Sequence, residues 1–597
     1  MKYEASKKPS VVAVASTALK REQQTRRLML LKQLSSLRFL MRQGLPVRGH
    51  CKQEGNLEQL MKYRAEDIPN FQQWLESGKY LSPEIVNELI QLMALQVLRT
   101  LLDSIRSERF CSLIVDETRD VSGKEQLAIS LRWVNGSYEI FEELIGLVEV
   151  ERTDAASLKS VIKDVLIRCN IPIGSCRGQA YDGAANMAGH LNGVAAQIQS
   201  EEPKALFVHC LAHSVNLCLQ DCGRTSRPVR DALALVNELH NLIHLSPKRL
   251  ALFSHLRAEL APQNPALKPL CPTRWSVRTA AIDAVLKNYT VLFQELEAID
   301  EESCGEASAK AAGLLTLMEK FSTYFGLKLS YLAFVATEQL AVTLQAKDIN
   351  AQIGIGAGNA AKNFLQRQRN TESFGIFYQA VVTESQNLTE KPTLPRQRQV
   401  PKRIDQGAQS PQYQSPEEYF RQQYFEVLDI LIAELQHRFD QESFELLSEI
   451  ERILISACNG SIVQPSDRLR ELYQPDIDFQ RLSVQLAMLP DLVKAVNQQN
   501  HGQVIIREVT SISTICDLTT SFTISMFTEV HHLLSLYLTV PMTSATAERT
   551  FSTLRRLKSY LRSTMTQKEQ TDELDLIDIA KTFVSCNERR LSFFGSF

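Results

Sequence analysis

The chain has 597 residues, of which 44% are hydrophobic and 22% charged, and its formal net charge is −2. This length exceeds what one hydrophobic core usually fills, so two or more structural units are expected. We find no uninterrupted apolar run near the roughly 18–20 residues that cross a bilayer, which argues against a membrane protein. The 12 cysteines include no Cys-x-x-Cys pair, and this favours a reduced, intracellular chain over a disulfide framework.

The weak net charge argues against nucleic-acid binding, because proteins that neutralise many phosphates usually carry a basic excess. Basic residues are nevertheless concentrated in two runs. Lys20–Arg48 contains eight basic residues and one acidic residue, and Arg549–Arg562 contains five basic residues and no acidic one. Such runs are also typical of solvated helix faces. The charge distribution is therefore compatible with DNA binding without requiring it.

Helix signals dominate the first 110 residues. Ser82, Pro83 and Glu84 form a typical helix start, with a capping serine and a proline at the first helical position. The apolar-periodic segment that follows them ends near Ile105. We predict a basic N-terminal helical segment over 1–48 and a helical region over 49–110.

The pattern then changes to short apolar and alternating segments, which are typical of strands. We predict, in chain order, strands over 111–115, 126–134 and 138–150, a helix over 155–169, a strand toward Tyr181 and a helix over 184–199. These elements form a mixed α/β unit. We assign this unit to residues 111–275.

Strand signals largely vanish after residue 275, and helical stretches such as 309–327 and 417–439 dominate. We therefore predict a helical insertion over 276–525. Within it, 366–414 is rich in Gln, Arg, Pro and Ser, a composition that predicts a flexible loop. A final helical block is predicted over 526–597.

Two aspartates follow predicted strands, where α/β folds expose ligand-binding groups. Asp116 ends the first strand, and Asp182 lies just before Gly183. An aspartate in such a place is also common as a turn or helix-cap residue. Polynucleotidyl transfer needs this residue type, because carboxylates hold the divalent cations that activate the attacking oxygen and stabilise the leaving one.

Several ordered motifs resemble those of hAT-type transposases, particularly the branch found in MYM- and TTF-type zinc-finger proteins. The motifs are Gly44–His50 with Glu54–Leu57, Asp116–Asp120, Arg177–Met187, His209–Leu217 and Thr543–Ser552. The last of these resembles the C-terminal dimerisation signature of the family. The resemblance extends over nearly the whole chain.

By that resemblance, Asp116, Asp182 and Glu548 stand at the Asp-Asp-Glu catalytic positions and would bind Mg²⁺ or Mn²⁺. It also implies an α/β RNase H-like core interrupted by a large all-α insertion, with a helical N-terminal region. Glu548 would then return across more than 360 residues to complete the site. Without the resemblance, Glu548 fits an ordinary glutamate in the first turn of a helix.

Two further motifs are open to functional and to packing interpretations. Cys210 and His213 form half of a four-ligand zinc site, but the family keeps a Cys-x-x-His element nearby, so we interpret them as structural. Arg274 and Trp275 resemble a family motif near the DNA being cut. Arginine can meet a phosphate and tryptophan can stack on an unpaired base. A buried core tryptophan is an equal alternative.

The resemblance implies that DNA is the partner, that the chain acts in the nucleus, and that the C-terminal region forms a homodimer or higher oligomer. Because Leu533, Leu534, Leu536 and Leu538 are too apolar for a free surface, we expect the block over 527–594 to pack on the α/β core and also to supply a dimer contact. Residues 567–574 depart from the family pattern, which weakens the dimerisation inference. We expect DNA contacts from Arg274, Trp275, Arg549, Arg555, Arg556 and Lys558.

Two hypotheses remain. The first is a transposase that cleaves and joins DNA through the Asp-Asp-Glu triad, which is favoured by retention of all three carboxylates. The second is a domesticated, catalytically silent, dimerising regulatory scaffold associated with DNA or chromatin. No Cys/His ladder precedes Gly49, which favours the scaffold. Sequence-specific recognition would then come from the basic N-terminal helix, another chain or an upstream segment.

Overall fold

A five-stranded mixed sheet forms the centre of the α/β unit. The computed structural model describes residues 11–49, 55–270, 278–302, 305–346, 349–394, 413–499, 506–520, 526–557 and 574–597. The strands are β1 (Cys111–Arg119), β2 (Glu125–Val134), β3 (Ile140–Val150), β4 (Cys176–Tyr181) and β5 (Leu206–His209). The order across the sheet is β3-β2-β1-β4-β5. β2 runs antiparallel to its neighbours β1 and β3, whereas β4 runs parallel to β1 and β5 runs parallel to β4. The first four strands match the predicted ones, whereas the four-residue β5 is too short to have given a signal.

One face of this sheet is covered by two helices of the α/β unit. The elements that follow β3 are α5 (Ala155–Arg168), a 3₁₀ turn (Ile173–Ser175), α6 (Ala185–Ala188), α7 (Val194–Gln199) and α8 (Leu211–Thr225). Leu158 and Ile162 of α5 and Ile198 of α7 lie in the core beneath this face. The helix predicted over 184–199 is divided in two, because the chain makes a turn in which the Gly193 amide donates to the Gly189 carbonyl at 2.9 Å.

The opposite face is covered by a helix from the C-terminal part of the chain. This region contains α22 (Thr528–Thr539) and α23 (Ala545–Leu557). Ala547, Phe551 and Leu554 of α23 pack on Ile114 and Ala128 of the sheet. The α/β unit is therefore completed by a segment that lies far from it in sequence.

The leucines of α22 are buried inside the chain itself. Leu533, Leu534 and Leu536 are fully buried, and Leu538 is 4% exposed. They pack in the large core that the α/β unit shares with the insertion. A single chain therefore covers these four leucines, and the dimer contact expected of the C-terminal block stays a prediction.

The region between α8 and α22 is helical throughout its described residues. Its helices are α9 (Arg227–His244), α10 (Pro247–Leu260), α11 (Arg278–Lys287), α12 (Tyr289–Glu302), α13 (Glu306–Met318), α14 (Phe321–Leu344), α15 (Ala351–Gln368), α16 (Thr371–Ser385), α17 (Pro416–Phe439), α18 (Glu442–Cys458), α19 (Asp467–Tyr473), α20 (Phe479–Gln499) and α21 (Ile512–Thr520). They share one continuous hydrophobic core with α8 and α22.

The flexible loop predicted over 366–414 is wrong for its first part, where α16 forms. Asn370 caps this helix by accepting the Ser373 amide at 2.8 Å, and Phe374 and Tyr378 are buried against the insertion. The prolines that suggested a loop follow this helix rather than interrupt it. Residues 395–412 lie outside the described residues.

The two ends of the chain form one helical unit. The N-terminal helices are α1 (Val11–Arg42), α2 (Asn56–Ala65), α3 (Phe71–Ser77) and α4 (Pro83–Ser107), and the C-terminal ones are α24 (Leu576–Ser585) and α25 (Glu588–Phe594). Phe583 and Phe594 lie in the same core as Phe71 and Trp74. The expectation that the whole of 527–594 packs on the α/β core therefore holds for α22 and α23 but not for α24 and α25.

Helix α4 connects this unit to the sheet. The Ser82 hydroxyl accepts the Ile85 amide, so the helix begins where the sequence predicts. By length and composition α4 would suffice to cross a membrane, contrary to the expectation that no segment approaches this limit. In the structure, its Leu89 lies in the core of the helical unit and its Leu102 in the core beneath the sheet. This helix therefore contributes apolar side chains to two cores.

A buried arginine joins the sheet to α22 and to the insertion. The Arg132 side chain is fully buried on β2, and its Nε donates to the Leu538 carbonyl at 2.9 Å. One terminal nitrogen donates to Glu142 of β3 and the other to the Ile349 carbonyl, both at 2.8 Å. Glu142 also accepts the Thr546 hydroxyl of α23. One guanidinium group thus connects four separate segments.

We predict that Arg132→Met lowers the free energy of unfolding by about 3–5 kcal/mol, because it leaves the buried Glu142 carboxylate without its partner. The matched control is Lys124→Met, which removes the exposed ion pair with Glu149 (2.7 Å) beside the same strands. That change should cost under about 1 kcal/mol. The midpoints of urea unfolding measure both values, and equal losses would contradict the importance of Arg132.

A second buried charge lies in the insertion. Glu295 of α12 is fully buried, and neither carboxylate oxygen has a hydrogen-bond partner among the described residues. Burial raises the pKa of Glu295 from 4.5 to about 8, and the Arg249 charge opposes the rise. Since an unfolded glutamate loses its proton at lower pH, the folded state binds more protons between these values. Stability therefore falls as pH rises through this window.

Glu295→Gln should remove this pH dependence. We expect the variant and the wild type to have similar stability near pH 5, and the variant to be more stable near pH 9 by on the order of a few kcal/mol. Thermal unfolding across this pH range tests the prediction. Glu297→Gln, on an exposed position of the same helix, is the control and should show no such divergence.

Candidate functional site

β1 and β4 place two aspartates on the same face of the sheet: Asp116 lies within β1, which continues past its expected end to Arg119, and Asp182 directly follows β4. The parallel register pairs Ile114 of β1 with Ala180 of β4, and Ile114 packs under α23. Side chains alternate between the faces of a strand. Asp116 and Asp182, each two residues further along, therefore face α23 from neighbouring strands.

The third carboxylate comes from the first turn of α23. Ala547, Phe551 and Leu554 hold this helix on the sheet, so Glu548 stands at the end of the helix that lies over the aspartates. Burial raises the pKa of Glu548, the neighbouring Arg549 charge lowers it, and the Asp182 carboxylate raises it. Glu548 is thus close enough to Asp182 for their charges to interact.

Asp116 is the most strongly affected member of the three. Burial is the largest cause that holds its pKa well above the ordinary value, followed by the carboxylates of Asp182 and Glu548. The Glu117 amide donates to Asp116 at 2.9 Å and opposes the rise. Three carboxylates from distant parts of the sequence therefore meet in one place, where each repels the others.

A fourth carboxylate at the site was missed by the sequence interpretation. Burial and then Asp182 raise the pKa of Glu117 to about 7, while a hydrogen bond from Asn186 lowers it. The Asn186 amide group donates to Glu117 at 3.1 Å and to the Thr153 carbonyl at 2.8 Å. Both residues belong to motifs that were recognised, so their proximity to the two aspartates was the available signal.

A histidine packs tightly beside the second aspartate. A Cβ atom at Gly183 would lie 2.6 Å from Nε2 of His209, so only glycine fits there. The other ring nitrogen of His209 is 2.6 Å from the Ser214 hydroxyl. Burial, with the nearby His213 and Arg438, lowers the pKa of His209 to about 4. His209 is therefore neutral at physiological pH and adds no positive charge to the site.

Cys210 connects the aspartate strands to the segment that carries the glutamate. Its amide donates to the Tyr181 carbonyl at 3.0 Å, and its sulfur accepts the amides of His213 at 3.4 Å and Ser544 at 3.2 Å. Burial raises the pKa of this thiol to about 12, and the Glu548 charge adds to the rise. In this arrangement the Cys210 thiol caps α8, which is the kind of structural role that the sequence analysis expects of it.

A close approach on β4 also fixes the C-terminal segment. A Cβ atom at Gly178 would lie 2.8 Å from the Pro541 ring and 3.1 Å from the Val540 Cα. The absence of a side chain at Gly178 allows the chain between α22 and α23 to cross directly over β4. This crossing brings α23, and with it Glu548, over the strand that ends at Asp182.

The residues of this site fit a divalent cation by chemical type and by charge. Carboxylate oxygens are preferred ligands of Mg²⁺ and Mn²⁺, and an ion would relieve the repulsion that raises their pKa values. As the side chains stand, no three His, Cys, Asp or Glu residues in the described part of the chain are arranged to hold a metal ion. Binding would therefore require the carboxylates to move closer together.

Of the six side chains expected to contact DNA, those of Arg549 and Arg555 lie in the described part of the chain. Arg549 donates to the Gln345 carbonyl at 2.8 Å and to Thr546 at 2.6 Å, so it holds α23 to the insertion. Arg555 is exposed on α23. The remaining expected contacts, Arg274, Trp275, Lys558 and the side chain of Arg556, lie outside the described residues.

The basic N-terminal run is used partly to join the two chain ends. Arg26 donates to the Phe593 carbonyl at 3.0 Å, Arg27 donates to the Ser596 carbonyl, and Arg38 donates to the Leu574 carbonyl at 3.4 Å. The Arg26 guanidinium also lies 3.9 Å from the centre of the Phe593 ring. These three arginines bind backbone carbonyls of the C-terminal segment instead of the candidate-site carboxylates.

Two regions of the chain, one N-terminal and one C-terminal, match known protein families. A family model described as ZMYM1/FAM200, RNase-like domain, matches residues 2–193, and the hAT family C-terminal dimerisation region matches residues 523–576. The chain is 22% identical to the human 52 kDa repressor of the inhibitor of the protein kinase over 586 residues, which cover 92% of this chain and 74% of that protein. The mouse protein of the same name is 21% identical with the same coverage. The match to the hAT dimerisation region indicates that the chain associates with itself. Both matched regions are therefore similar to those of hAT-related, transposase-derived proteins.

Proposed function

We propose that this protein cleaves and joins DNA strands in a reaction that depends on Mg²⁺ or Mn²⁺, with Asp116, Asp182 and Glu548 as the catalytic carboxylates. The observation that carries the proposal is the clustering of these three side chains on one face of the sheet, where burial and then the neighbouring carboxylates raise the pKa values of Asp116 and Glu548. Uncompensated carboxylates are costly to bury. The free-energy cost of burying these three carboxylates is explained if they bind cations.

The fold supports this proposal. A five-stranded mixed sheet in which β2 runs antiparallel to the other four strands, with helices on both faces, agrees with an RNase H-like core. The helical insertion lies between Asp182 and Glu548 in sequence, as the resemblance to hAT transposases implies. On this proposal the partner is DNA, the site of action is the nucleus, and the active form is a dimer or higher oligomer.

The roles of the protein's own residues follow from their positions. Asp116 and Asp182 present oxygen ligands from rigid neighbouring strands, and Glu548 presents another from α23. Asn186 orients Glu117 at the edge of the site. Bound divalent cations would activate the attacking oxygen and stabilise the leaving oxygen of the phosphodiester. Cys210 and Gly178 act indirectly, since they position the segment that carries Glu548.

A second candidate function is a regulatory scaffold that has lost catalysis. It is favoured by the name of the relatives, which describes a repressor, and by the absence of a ready set of metal ligands in the described residues. In such a protein the dimerisation region and the fold would persist for binding. Activity of the purified chain distinguishes the two candidates.

Asp182→Asn should abolish DNA nicking in the presence of Mn²⁺ or Mg²⁺, because the carboxamide is a poorer cation ligand than the carboxylate it replaces. The measurement is conversion of a supercoiled plasmid to its nicked form, with and without EDTA. Asp164→Asn, which removes an exposed ion pair with Arg168 on α5, is the matched control and should nick normally. A folded wild-type protein without metal-dependent nicking would instead support the scaffold.

Asp116→Asn should stabilise the metal-free protein at neutral pH and remove its response to metal. The raised pKa of Asp116 means that stability falls as pH rises from the ordinary value near 3.8 through the raised one. The variant lacks this loss. Saturating Mn²⁺ should raise the Tm of the wild type by a few degrees, roughly, and leave that of the variant unchanged. Equal metal responses in differential scanning fluorimetry would contradict the assigned ligand.

A further inference from the structure

An apolar side chain is fully presented to solvent close to the candidate site. Leu191 is 89% exposed, the largest exposed fraction among the exposed large hydrophobic residues in the described part of the chain. It lies at the tip of the short loop between α6 and α7. Single exposed leucines are common on protein surfaces, so the significance of Leu191 depends on how the loop is built and where it stands.

The loop is held firmly in place. The Gly193 amide donates to the Gly189 carbonyl at 2.9 Å, and the Gln197 side chain donates to the Asn192 carbonyl at 2.9 Å. Met187 before the loop and Val194 after it are buried in the core. The exposure of Leu191 is therefore produced by a defined turn with anchored ends.

The same turn is connected directly to the carboxylates. The Ala184 amide donates to Asp182 at 3.2 Å, and α6 begins at the next residue. Asn186 in α6 contacts Glu117, which follows Asp116 on β1. The loop starts three residues later. Leu191 thus belongs to the loop that directly follows the short helix connecting Asp182 with Glu117.

A basic side chain lies on a segment that contacts α6. Asn186 also donates to the carbonyl of Thr153, so the segment before α5 lies against α6. The side chain of the preceding Arg152 is 77% exposed and pairs with Asp154 at 3.0 Å. An exposed guanidinium and an exposed apolar tip, on two segments that Asn186 links, suit a nucleic acid, whose phosphates attract the first and whose base steps accept the second.

We propose that Leu191 is an apolar wedge that enters a base step of the DNA next to the carboxylates. This inference rests on the proposed function, since the DNA must lie over the site. A leucine side chain has no hydrogen-bonding group, so it acts by separating stacked bases and not by reading their edges. The distortion would present the adjacent phosphodiester to Asp116, Asp182 and Glu548.

The test compares three variants of the full chain on a duplex that contains 2-aminopurine, whose fluorescence rises when stacking is lost. Binding of the wild type in EDTA should raise the fluorescence. Leu191→Ser should suppress this rise and weaken affinity roughly tenfold, as expected for loss of one buried leucine contact. Leu191→Met should retain both properties. Leu245→Ser, at an exposed leucine (79%) that ends α9 in the insertion, should behave as the wild type.

The outcomes separate the wedge from the proposed chemistry. Plasmid nicking by the same proteins with Mn²⁺ tests the chemistry, whereas fluorescence and affinity in EDTA test the wedge. If the wild type nicks DNA and Leu191→Ser matches it in fluorescence and affinity, the wedge is overturned and the proposed function stands. If the wild type neither binds the duplex nor raises the fluorescence, the wedge is overturned as well. Loss of the fluorescence rise in Leu191→Ser alone supports it.

Discussion

The buried guanidinium of Arg132 is the interaction on which the rest of the arrangement depends. It satisfies the ends of α22 and of the segment at Ile349 while it pairs with Glu142 on the neighbouring strand. Glu142 in turn accepts Thr546 at the start of α23. A charge in so dry a place is stable only when all its partners are present. The sheet, the insertion and the glutamate helix are therefore fixed relative to one another by one group.

The candidate site is assembled under electrostatic repulsion, and the surrounding packing holds it. Asp116, Asp182 and Glu548 are brought together by β1, β4 and α23, and the hydrophobic contacts of α23 with Ile114 and Ala128 oppose their separation. In functional sites, a rigid scaffold commonly holds like charges close together despite their repulsion. The insertion contributes no carboxylate to this set, but its core is continuous with α22 and so fixes the approach to α23.

The chain ends are joined for a different reason. The helical unit of α1–α4 exposes apolar surface that α24 and α25 cover, and Arg590 pairs with Glu88 at 2.6 Å across the contact. The basic N-terminal residues that suggested DNA binding include Arg26 and Arg38, which donate to backbone carbonyls of the C-terminal segment. Composition alone could not separate these uses, because a guanidinium group binds a backbone carbonyl as readily as a phosphate.

Local rules were sufficient for much of this protein. Alternation and apolar runs predicted the first four strands, and the Ser82 cap predicted the start of α4. The assignment of Asp116 and Asp182 to a catalytic site came from the resemblance to a family and stays a prediction. The tertiary structure decided what depends on contacts between distant segments. These include the short β5, the break between α6 and α7, the burial of the α22 leucines inside one chain, and the meeting of Glu117 and Asn186. Periodicity records which face of an element is apolar, but not which partner covers that face, because a side chain is buried equally well by its own chain or by another.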